Sequence, residues 1–155
     1  MTLHLTTIAG GNALSPFRAQ QLQPALEAIH PKIAAIAARF VHLVATDAPP
    51  TPEQHERLAA LLTYGDPYQG PDDGAAIIVT PRLGTVSPWA SKATDIARNC
   101  GLQLRRVERA TEYRIQMASS LLGKPTLNAE QLAQVAALLH DRMTESVVAD
   151  RSAAA

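Results

Sequence analysis

The densest run of chemically capable side chains is "TPRLGTVSPWASKAT", Thr80 to Thr94. Arg82, Thr85, Ser87, Ser91 and Lys92 surround a predicted helix start at Ser87-Pro88. The first amides of a helix lack intrahelical partners and carry the positive end of its dipole, so such a start attracts anions. Arg82 lies just upstream, and Lys92 sits about one and a half turns inside. These are the groups a phosphate or carboxylate cradle needs. The spacing is not that of a P-loop, so it defines no nucleotide motif. The plainer alternative is that Thr85 and Ser87 only cap the helix while Lys92 points to water.

The other reactive types suggest less. Cys100 falls on a helical stripe with Trp89, Ala93, Ile96 and Ala97, which predicts a packed core thiol rather than a nucleophile. Histidines at 4, 30, 42, 55 and 140 share no ligand spacing, so no metal site is expected. "RRVERATE" places Arg105, Arg106, Glu108, Arg109 and Glu112 on one predicted strand. Ordinary ion pairs explain that pattern, and a partner surface carried by Arg106 and Arg109 is the sharper reading. Tyr64 and Tyr68 either line an interface or anchor their loop. No residue is assigned a catalytic role.

The elements that position these groups follow from pattern. "LHLTTI" reads as a strand ended by Gly10 and Gly11. Ser15-Pro16 starts a helix with Phe17, Leu22, Ala25, Leu26 and Ile29 on one face, Pro24 as a candidate kink and Pro31 as its stop. In 32–46 the alanines favour helix and "RFVHLVAT" favours strand, and the second half is assigned to a strand. "EQHERLAALL" is an amphipathic helix, "TYGDPYQGPDDG" a loop and "AAIIVT" a buried strand. The helix from Pro88 ends at Gly101. "RVERATEYRIQM" alternates, with Val107, Thr111, Tyr113, Ile115 and Met117 opposite Glu108, Glu112, Arg114 and Gln116. A helix over "NAEQLAQVAALLHDRM" and a short strand at "ESVVA" complete the chain.

The chain also echoes itself. "LSPF" at 14–17 matches "VSPW" at 86–89, and "RLAALL" at 57–62 matches "QVAALL" at 134–139. "PT" precedes each of the latter helices. The expected fold is α+β, with two tandem strand-helix-strand-helix halves, ferredoxin-like-related, under pseudo-two-fold symmetry. The halves span roughly 1–66 and 74–148 of a single scaffold domain, 1–148, with 149–155 as a tail or linker stump.

Bulk properties narrow the function classes. The 155 residues suit one domain. Fourteen Lys plus Arg balance fourteen Asp plus Glu, so the basic excess of a general nucleic-acid binder is missing. The single cysteine forms no internal disulfide. No signal peptide or membrane-length apolar run occurs, which predicts a cytoplasmic protein without membrane partners.

"TPRLGTVSPWASKATDIARNCGL" resembles the N-terminal domain of the large single-chain phosphoribosylformylglycinamidine synthases of purine biosynthesis. "LSPFR", "RFVHL", "LLTYG", "RRVERA" and "LHDRMTESV" extend the resemblance over nearly the whole chain. Leu83, Arg98 and Ala110 depart from the family's usual Pro, His and Gly. The resemblance implies an ATP- and glutamine-dependent ligase that converts formylglycinamide ribonucleotide to the amidine. ATP and magnesium are implied for the full enzyme, with no cofactor in this domain. It further implies linker, synthetase and glutaminase domains as partners in one longer chain. In other lineages a small dimeric subunit takes this domain's place, and the internal repeat is similar to that dimer fused. The domain is then a non-catalytic scaffold, inactive alone, that helps wall the synthetase site. The alternative is a free-standing regulatory module that binds a small anionic effector.

Overall fold

The computed structural model describes residues 4–65, 67–68, 70, 75–81, 88–118, 127–140 and 145–148. In chain order the elements are β1 (His4–Asn12), α1 (Pro16–Ile29), β2 (Ile33–Thr46), α2 (Pro52–Leu61) and β3 (Ala75–Pro81). They continue with α3 (Pro88–Asn99), β4 (Arg106–Met117), α4 (Ala129–Leu139) and β5 (Glu145–Val148). The strands form one antiparallel sheet in the order β1-β2-β4-β3-β5. Exchanging the two halves leaves the order of the first four strands unchanged, with the pseudo-two-fold running between β2 and β4. The fold is α+β, two tandem strand-helix-strand-helix halves of ferredoxin-like-related form.

Local chemistry repeats with the topology. Ser15 caps α1, its hydroxyl accepting from Arg18 N, with Pro16 in the first turn. Thr51 and Gln54 form a capping box at α2, and Asn128 and Gln131 form its counterpart at α4. Gly101, at φ +84°, closes α3 in a conformation that favours glycine.

Two cores are related in the same way. One joins Leu26 of α1 and Val135 of α4 to Ile36, Ile77 and Ile115. The other joins Leu58 of α2 and Ala97 of α3 to Ile8, Val44 and Val107. Ile36 pairs with Ile115 and Val44 with Val107, so both cores lie on the same face of the sheet. The opposite face carries Arg39, Val41, Glu108, Ala110, Glu112 and Arg114. There Arg106 meets Glu108 at 2.8 Å, and Arg114 meets Glu112 at 3.4 Å. Ala110 pairs with Val41 and is buried, so its methyl group is accommodated between the paired strands.

Four expectations need correction or completion. First, Gly10 and Gly11 do not end β1; both stand opposite Phe40 in a bulge between the pairs Ala9–Val41 and Asn12–Arg39. Second, the alanine-rich start of β2, which residue propensity leaves open between helix and strand, is strand, because the ladder with β4 runs from Ile33–Met117 to Ala45–Arg106 and overrides local propensity. Third, Phe17 is 70% exposed and only Leu26 of α1 is fully buried. Fourth, Cys100 and Ile96 are exposed; of the expected stripe Ala97 is fully buried and Trp89 and Ala93 pack partly on the second core, and α3 also buries Ala90 and Thr94. Small residues let α3 lie close to β4, close enough for the Thr94 hydroxyl to accept from Val107 N at 3.0 Å.

Candidate functional site

The pairing of β3 with β4 stops at Val79–Thr111. Beyond it, side chains satisfy the β4 amides. Thr94 Oγ1 accepts from Val107 N, and Glu108 Oε1 accepts from Arg109 N at 2.9 Å. The splay opens a cleft of about 280 Å³ lined by Phe40, Val79, Pro81, Trp89, Arg109 and Thr111, with Glu108 and Glu145 at its margin.

Arg109 dominates this cleft. Its guanidinium carbon lies 4.4 Å from the Phe40 ring centroid and 4.7 Å from that of Trp89. Both aromatic rings attract the cation and fix its plane while leaving its N–H edges for hydrogen bonds. Arg109 Nη1 donates to Tyr64 Oη at 3.3 Å. Tyr64 Oη lies 2.9 Å from His42 Nε2, and His42 Nδ1 lies 3.1 Å from the Ile8 carbonyl. A carbonyl only accepts, so Nδ1 carries the proton and Nε2 accepts from Tyr64. The chain therefore runs in one direction, from Arg109 through Tyr64 and His42 to Ile8.

His42 is fully buried. Burial holds its pKa below 6.5; the Ile8 hydrogen bond opposes this, and the Arg109 charge pushes the same way as burial. Below pH 6.5 the unfolded chain takes up a proton that folded His42 resists. The unfolded state then binds more protons, so stability falls with falling pH until the depressed folded pKa is reached. Urea midpoints measured across pH are expected to be flat well above 6.5 and to drop below it. His42→Gln will reduce that drop, and an equal drop in the variant would place its origin elsewhere.

Of the residues singled out in the sequence, the described ones are dispersed. Arg82, Thr85 and Ser87, including the proposed Ser87 cap, lie outside the described residues. Ser91 is exposed on a shallow cleft with Thr94, Arg98 and Arg106. Lys92 is exposed on a different groove, between α2 and α3. Arg106 and Arg109 occupy opposite faces of β4, so the strand does not present them as one surface. Arg98 donates to the carbonyls of Leu104 and Arg105, bracing the turn between α3 and β4. Tyr64 and Tyr68 both anchor their loop, Tyr68 lying under the Arg39 guanidinium at 4.7 Å. The aromatic clamp was missed because Phe40, Tyr64 and Trp89 come from three separate elements.

No described helix is long and apolar enough to cross a membrane. Residues 39–155 match the family model described as formylglycinamide ribonucleotide amidotransferase N-terminal. That span includes β3, β4, α3 and every side chain of the Arg109 clamp. The chain belongs to the formylglycinamide ribonucleotide amidotransferase N-terminal family, and so has a role in the synthase that makes formylglycinamidine ribonucleotide.

Proposed function

We propose that this chain is a non-catalytic scaffold of that synthase and supplies one wall of the site where formylglycinamide ribonucleotide, ATP and ammonia from glutamine react. The residues assigned to that wall are Arg82, Thr85, Ser87 and Arg109. One observation carries the reading: Pro81 and Trp89 flank the Arg82–Ser87 segment in the chain and line the same cleft as the clamped arginine. A guanidinium held by stacking keeps its donor edges directed without reorganisation, as electrostatic stabilisation of an anion requires.

Phosphoryl transfer requires a metal, a phosphate clamp and a positioned nucleophile together. Among the described residues no three His, Cys, Asp or Glu side chains are grouped to hold a metal ion. In this reading ATP and magnesium belong to the other domains, the linker, synthetase and glutaminase domains of a longer polypeptide. In this reading Ser91 and Arg106, which share a cleft, face a neighbouring domain.

The test is complementation in trans. The 155-residue chain alone, given formylglycinamide ribonucleotide, ATP, magnesium and glutamine, is expected to form no product. Added to a synthase truncated of its N-terminal domain, it should restore turnover. Product from the chain alone would overturn the scaffold reading.

A further inference from the structure

The two helix pairs are related by the pseudo-two-fold but packed differently. α1 closes on α4. Between α2 and α3 a groove of about 250 Å³ stays open, walled by Leu58, Leu61, Trp89, Ala93 and Ile96. Ile96 is 44% exposed at its rim. Lys92 is the one charged residue among the described groove-lining residues, and it makes no ion pair or hydrogen bond among them.

We propose that this groove docks an apolar segment of a neighbouring domain of the same synthase, one that carries a carboxylate beside its apolar residues. An open trough between two helices suits an amphipathic segment laid along it, with aliphatic anchors below and polar groups at the rim. Trp89 offers the broad aromatic surface on which binding energy concentrates. Lys92 sets the sign of the partner, since an exposed cation beside an apolar trough rewards a carboxylate and rejects a cation. The proposal rests on the reading that this chain works beside other domains, and it names the surface they use.

The probe is a random dodecapeptide library on phage, panned against the whole 155-residue chain. The wild type is expected to enrich peptides that combine large apolar residues with Asp or Glu. Lys92→Glu, at an exposed position, should switch the enriched charge to Lys or Arg. A synthesised winner should bind Ile96→Arg roughly tenfold more weakly. Thermal melts confirm that each variant is folded. No enrichment by the wild type, a consensus without carboxylates, or a consensus unmoved by Lys92→Glu overturns the proposal. Charge-switched enrichment alongside product formation by the chain alone would keep the docking surface and discard the scaffold role.

Discussion

Ile115→Ala will lower the unfolding free energy by about 2–5 kcal/mol, the largest loss expected of any single truncation here. Ile115 is fully buried and lies on β4, the strand paired on both sides, opposite Ile36 of β2 and Ala75 of β3. Ladders on both flanks keep the backbone from closing the cavity, so the lost burial and the void both count. Urea unfolding monitored by circular dichroism measures it. Val107→Ala in the second core should cost less, because it removes fewer methylenes and Val107 borders the open groove between α2 and α3. Equal losses at the two sites would contradict the difference in packing between the helix pairs.

Gly10→Ala will destabilise the protein by about 1–3 kcal/mol and disturb the Arg109 clamp from a distance. A Cβ on Gly10 would stand 2.5 Å from His42 Cε1 and 3.2 Å from both His42 Nδ1 and Phe40 Cβ. His42 cannot swing away cheaply, since it is fully buried and hydrogen-bonded at both nitrogens. Phe40 is one of the two faces holding Arg109. The His42 ring also lies 5.7 Å from that of Trp89, the chain's single tryptophan. Native-state tryptophan emission therefore reports the disturbance directly, and an unchanged spectrum with unchanged stability would remove Gly10 from the argument.

The repeating architecture was legible because its signals are local. Pro16 and Pro88 mark two helix starts, and Thr51-Gln54 and Asn128-Gln131 mark two more with reciprocal capping bonds. The alternation of β4 separated its faces correctly. What failed or stayed open depends on partners distant in sequence. The alanines of β2 are strand because β4 lies beside them, and Gly10–Gly11 bulge rather than terminate because β2 continues opposite. The α3 stripe was misjudged by weighing side-chain size. Its contact with the sheet runs through Ala90, Thr94 and Ala97, while Trp89 leans toward His42 and Arg109 and Ile96 lines the groove. The cluster of hydroxyls and cations in "RLGTVSPWASK" reads as one group in the sequence. Helical geometry then sent Ser91 and Lys92, one residue apart, to different clefts.

The most direct measurement is the kcat/KM of the complete synthase carrying Arg109→Ala, with a thermal melt to confirm the fold. If the stacked guanidinium walls the reaction site, kcat/KM for formylglycinamide ribonucleotide will fall by about 10- to 100-fold. A folded variant with the kinetics of the wild type would show that Arg109 and its cleft stand outside the chemistry.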